Sequence, residues 1–156
     1  MPEQAFVPGV VNPIIPRGPR DYFVYTANLG SMAALATSTQ NVAISADALF
    51  FLTGLTYFSD LAGAVQTDSS RVLPLIRFQV TDTGSGRQLF SAVTPIPALM
   101  GDGTHIYRLI HPRYFRPSTT IQIVADNYSA ATTYTNTYLC FIGFKIYTKD
   151  LYGPIP

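Results

Sequence analysis

Gly86-Arg87-Gln88-Leu89-Phe90 begins the part of the chain most diagnostic of its fold, and Phe141-Ile142-Gly143-Phe144-Lys145-Ile146-Tyr147 ends it. Between them, Pro95-Ile96-Pro97 and the turn Gly101-Asp102-Gly103 lead into Thr104-His105-Ile106-Tyr107-Arg108-Leu109. Thr119-Thr120-Ile121-Gln122-Ile123-Val124 follows, and then the long run of residues 132–147. Apolar and polar side chains alternate, glycine and proline punctuate the runs, and no helical period intervenes. The stretch reads as sandwich scaffold with no catalytic constellation in it.

Upstream the period of two persists. Asp21-Tyr22-Phe23-Val24-Tyr25-Thr26 is aromatic and β-branched, and Gln40-Asn41-Val42-Ala43-Ile44-Ser45 places Val42 and Ile44 on one face. Residues 48–58 could seat Leu49, Phe50 and Leu52 on a short helix, but Gly54 and the aromatic content favour a buried strand with a bulge. In residues 71–81 Ile76, Phe78 and Val80 share a face, and Pro74 puts the start of the strand at an edge or bulge. Asp82-Thr83-Gly84-Ser85-Gly86 makes a hairpin turn into Arg87. Residues 32–39 form a helical turn or a loop. These strands predict an all-β fold, an antiparallel β-sandwich of the jelly-roll or another Greek-key type.

The ends differ from this body. Pro2, Pro8, Pro13, Pro16 and Pro19 lack backbone donors and fix φ, which makes residues 1–20 an extended N-terminal arm. Residues 21–148 are the sandwich domain, and residues 149–156 an extended C-terminal tail that Gly153, Pro154 and Pro156 keep from continuing a strand. Both arms carry apolar groups: Phe6, Val7, Val10, Val11, Ile14 and Ile15 at one end, Leu151, Tyr152 and Ile155 at the other. Linkers are ordinarily poorer in such groups. Extended, apolar arms suit docking on a surface, and these residues are candidate protein contacts.

At 156 residues the chain fits one domain. Only 12% of it is charged, about half the usual quarter. The exterior is therefore uncharged or apolar over much of its area, which points to a partner surface and to a homo-oligomer. The formal net charge of +1 supplies no electrostatic footprint for nucleic acid. Arg17 and Arg20 in the arm, and Arg108, Arg113 and Arg116 further on, fit ion pairs with neighbouring acids or a partner subunit better than phosphate. Cys140, the only cysteine, lies in an apolar strand and reads as inert core. Residues 1–10 lack the pattern of a signal peptide, and residues 42–58 are too interrupted to span a bilayer, so no membrane is expected as a partner.

Candidate chemistry is thin. Gly84-Ser85-Gly86-Arg87 lacks the Lys-Ser/Thr ending and the helix of a phosphate loop. Asp102, His105 and His111 have no ligand spacing, no nucleophile elbow is present, and Cys140 has no nearby histidine. A glycosidase-like acid pair would have to form by long-range folding. The expectation is a protein without enzymatic activity, cofactor or metal. Tyr128, Tyr134 and Tyr138 near the last strands suit stacking on sugar rings or anchoring a protein contact. The absence of Trp favours the protein contact, with Tyr128 and Tyr134 as its candidates.

Thr83-Gly84-Ser85-Gly86-Arg87-Gln88-Leu89 is followed by Pro95-Ile96-Pro97-Ala98-Leu99-Met100-Gly101 and by Leu109-Ile110-His111-Pro112-Arg113-Tyr114-Phe115-Arg116-Pro117. Residues 121–127 and Phe141-Ile142-Gly143-Phe144-Lys145-Ile146-Tyr147 complete the order. This order of turn and packing residues resembles small virion structural proteins of tailed bacteriophages over roughly residues 20–148. The resemblance implies a noncatalytic subunit that decorates or cements the capsid or forms part of the neck or collar. It implies symmetric self-association, docking on other virion proteins such as major capsid, portal or neck proteins, and residence in the virion after synthesis in the host cytoplasm. The alternative is a glycan-binding sandwich module of a phage tail or surface protein.

Overall fold

The computed structural model describes residues 19–61 and 72–147. Phe6, Val7, Val10, Val11, Ile14, Ile15, Arg17, Leu151, Tyr152 and Ile155 lie outside the described residues. In chain order the strands are β1 (Arg20–Met32), β2 (Thr37–Ala43), β3 (Ala48–Leu61), β4 (Ile76–Asp82), β5 (Arg87–Gln88), β6 (Thr94–Pro95), β7 (Tyr107–Phe115), β8 (Thr120–Asn127) and β9 (Tyr134–Tyr147). One short helix, α1 (Ile96–Leu99), follows β6.

Two antiparallel sheets pack face to face. The first has the order β1-β9-β3-β7 and the second β2-β8-β4-β5, with β6 also pairing β4. The pairings nest: β1 with β9, β2 with β8, β3 with β7, and β4 with β5. Nested pairing across a four-stranded and a five-stranded sheet is a jelly roll, and it decides between the two sandwich types that the periodicity left open.

Alternation builds the core. Ile76, Phe78 and Val80 of β4 and Ile121, Ile123 and Ala125 of β8 turn inward from the second sheet. They meet Tyr25, Ala27 and Leu29 of β1, Phe50 and Leu52 of β3, and Leu139 and Phe141 of β9. Each large side chain removed from water in this way contributes about 1.5–3 kcal/mol before entropy is counted. The Phe50 ring meets Tyr25 edge-on at 4.8 Å and stacks at 6.3 Å on Phe115 of β7.

Residues 48–58 are strand, and the register slips between Leu52 and Gly54 against both β7 and β9, so the bulge lies at the glycine. The strand before the Gly-Ser-Gly turn starts later than the periodicity predicts. Residues 72–75 precede it, and the Leu75 amide donates to the Tyr134 hydroxyl (3.0 Å) instead of to a neighbouring strand. The run from Thr104 likewise becomes strand only at Tyr107, because Asp102 Oδ1 accepts the amides of Thr104 and His105 and holds them in the turn.

Pro112 sits inside β7. The sheet tolerates it because β7 is an edge strand and residues 109–112 bulge between the pairs Gly54–Arg108 and Leu52–Arg113, a device that also blunts the edge. Residues 32–39 hold a turn with Leu35 at φ 59°, tied by the Leu35 amide to Ser129 O, before β2 begins. In the hairpin between β4 and β5, Asp82 Oδ1 accepts the Gly84 amide (3.0 Å), Oδ2 accepts the Ser85 hydroxyl, and Gly86 takes φ +66°.

Candidate functional site

Side chains that alternate inward on the first sheet leave their neighbours facing out, and aromatic doublets therefore put one ring on each side. Phe50 and Phe115 enter the core while Phe51 and Tyr114 face outward, and Tyr22 stands out beside the half-buried Phe23. Register then aligns what the chain separates. Tyr22 pairs Phe144, Phe144 pairs Phe51, and Phe51 pairs Tyr114, so one aromatic row crosses all four strands.

The row is ordered by its own contacts. Phe51 and Phe144 stack with planes 1° apart and centroids 5.2 Å apart, and Phe51 meets Tyr114 at 6.3 Å. The flanked Phe51 is only 8% exposed, whereas Tyr22 is 72% and Tyr114 54% exposed. The Arg20 guanidinium lies over the Phe144 ring at 5.6 Å. Ile110, on the bulge of β7, is almost entirely exposed, so a second apolar group projects from the strand that carries Tyr114.

Two depressions adjoin the row. One, of about 330 Å³, is lined by Arg20, Tyr22, Phe144, Ile142, Ile106 and Arg108. Ile106 can close over the sheet there because Gly54 has no Cβ; one would stand 2.7 Å from Ile106 Cγ2. The other, of about 270 Å³, lies between β7 and the β4–β5 hairpin, with Arg87, Arg113, Arg116, Tyr114, Asp82 and Ser85 in its walls. Arg113 Nη2 donates to Gln88 O (3.0 Å) and stitches these two sheet edges together.

No protein-family model, curated protein or solved structure matches the chain.

The residues singled out in the sequence fall in different places. Arg20 opens β1 beside the row. Tyr128, 41% exposed, follows β8 on the other sheet, with the Arg77 guanidinium 6.0 Å from its ring. Tyr134 is not available to a partner: it is 3% exposed and its hydroxyl accepts the Leu75 amide, which makes it a core residue that ties the start of β4. Cys140 is half-buried on the outer side of β9, its Sγ 3.9 Å from Thr26 Oγ1, and so is not the core position its apolar surroundings predict.

His105 and His111 are exposed, and among the described residues no group of three His, Cys, Asp or Glu could hold a metal ion. The Tyr147 phenol is held above its usual pKa by its hydrogen bond to Asp21, whose carboxylate resists a second negative charge. That contact joins the start of β1 to the end of β9 and has no catalytic geometry around it. Tyr22, Phe51, Tyr114 and Phe144 escaped the sequence reading because nothing local unites them. The available signal was the set of doublets Tyr22-Phe23, Phe50-Phe51 and Tyr114-Phe115, each of which must place a ring on either face of a strand.

Proposed function

We propose that the chain is a noncatalytic structural subunit of a bacteriophage virion, docking through the outer face of its β1-β9-β3-β7 sheet to decorate or cement the capsid or to build the neck or collar. The observation that supports this reading is the aromatic row across that face, with Ile110 exposed on the bulge of the edge strand that carries Tyr114. A stacked row with exposed tyrosines at both ends, on a rigid sheet, supplies apolar area at little cost in side-chain entropy, as interface anchors do. Jelly rolls serve capsids and lectins alike, so the fold alone does not choose between them. Both flanking depressions are lined by arginine, and only one has an acid in its wall, so acceptors for sugar hydroxyls are scarce beside the row.

The test is the variant Tyr22→Ser with Ile110→Ser and Tyr114→Ser, all exposed positions whose loss leaves the core untouched. Co-sedimentation with virions stripped of the chain should weaken at least about 30-fold, the effect of losing on the order of 2 kcal/mol at an interface anchor. Circular dichroism should be unchanged. Undiminished co-sedimentation sinks the docking role of this face, and a glycan-array signal from the parent protein that the variant loses would promote the lectin reading in its place.

A further inference from the structure

The described cations are distributed unevenly. Arg77 pairs Asp126 at 2.7 Å on the second sheet, and Lys145 turns inward, its Nζ donating to Ser45 Oγ (2.8 Å). The other five, Arg20, Arg87, Arg108, Arg113 and Arg116, line the two depressions that adjoin the aromatic row. Among the described residues none of these five makes an ion pair. A chain of net charge +1 thus gathers five of its described cations beside one face.

The cleft between β7 and the β4–β5 hairpin concentrates this charge. Arg87, Arg113 and Arg116 share it, and the single acid in its walls, Asp82, spends its oxygens on the Gly84 amide and the Ser85 hydroxyl. Three guanidinium groups against one carboxylate leave the cleft with an excess of positive charge, and each offers the planar fork that takes a carboxylate in two parallel hydrogen bonds. The Tyr114 ring belongs both to this cleft and to the aromatic row. A side chain that enters the cleft is therefore continuous with whatever covers the row.

We propose that this cleft is a carboxylate-binding site, and that the occupant of the aromatic face is a different protein presenting an acidic residue beside apolar ones. The inference rests on the docking role of the row and specifies the chemistry of its partner. A second copy presenting the same face would set arginines against arginines, a like-charge contact that costs several kcal/mol. A nucleic-acid backbone would require a basic field wider than this face, which the net charge denies. An acidic segment with neighbouring Phe, Leu or Ile satisfies both the arginines and the rings.

The test starts from dodecapeptides selected on the immobilised full chain from a random display library and then measured by calorimetry. Selected peptides should carry Asp or Glu beside apolar residues, and changing those acids to amides should weaken binding by about tenfold or more. Arg87→Gln with Arg116→Gln should produce the same loss and abolish the preference for acid over amide. If those substitutions leave binding intact while Tyr22→Ser with Tyr114→Ser removes it, the carboxylate site is wrong and the docking face stands. If neither pair matters, both are wrong. Selection without acidic enrichment overturns the proposal, as does displacement of the peptide by pyrophosphate at far lower concentration than glutarate, which would reassign the cleft to phosphate.

Discussion

Gly143→Ala is expected to remove a large part of the protein's stability. Gly143 lies in β9 between Phe23 of β1 and Leu52 of β3, at the centre of the first sheet. A Cβ there would stand 1.9 Å from the Phe51 carbonyl oxygen and 2.9 Å from Phe50 Cε2. The oxygen is backbone, and β3 is held on its other side by β7, so it cannot retreat without parting a ladder. Overpacking costs about 1–3 kcal/mol, and each ladder hydrogen bond lost adds on the order of 1 kcal/mol. A total near 4 kcal/mol is a large part of the roughly 5–15 kcal/mol that holds a domain together. Thermal unfolding should show Tm lowered by roughly 10 °C or no transition at all. Gly30→Ala is the control: Gly30 has φ +68° but nothing within 4 Å of the added methyl, so it should lose only about 1 kcal/mol. Equal Tm values for the two variants would refute the steric account.

Asn127→Leu is the second large loss. Asn127 is buried at the end of β8, and its Nδ2 lies within hydrogen-bond distance of the carbonyls of Met32 (3.1 Å), Ala33 (2.9 Å) and Thr132 (2.7 Å). Its Oδ1 accepts the Ser129 amide at 3.0 Å. One side chain thereby gathers the turn after β1, the end of β8 and the approach to β9. Leucine matches it in size and strands these partners, each at about 1–3 kcal/mol where water cannot reach, so about 3 kcal/mol of stability should go, read as a lower urea midpoint at unchanged m-value. Asn127→Asp separates polarity from volume. Its carboxylate would face carbonyl oxygens, the charged form would be disfavoured and its pKa raised, so this variant should be stabler at pH 4 than at pH 8 relative to the parent. The opposite pH trend would show that the amide does not bind those carbonyls.

The inward halves of the strands were legible because burial imposes a period of two that a single sequence displays. Ile76, Phe78 and Val80 in β4 and Ile121 and Ile123 in β8 are both the alternating and the buried residues. Residues 48–58 resisted such a reading because β3 is a central strand covered on both faces over much of its length, which erases alternation and leaves an apolar run that a helix could also use. Lys145 shows another limit. Lysine ordinarily marks a solvent face, yet here its Nζ sits 3.5 Å from the centre of the Phe23 ring with Ser45 as hydrogen-bond acceptor, a pairing set by contact between β1, β9 and the turn after β2. Tyr134 misled in the reverse direction, since its ring looks like an anchor until the Leu75 amide is found on its hydroxyl.

That the chain forms strands, where most of them turn, and which side chains of the alternating runs leave water could be read from residues alone, because these follow from backbone sterics and the free energy of burial over a few neighbouring residues. Strand order needed the folded chain, which nests β1 on β9 and β2 on β8 across most of its length. The surface followed from that order. Tyr22, Phe51, Tyr114 and Phe144 form a row, and Arg87 joins Arg113 and Arg116, only through cross-strand register and the meeting of two sheet edges. Such contacts join residues far apart in the chain, where no local period records which will meet.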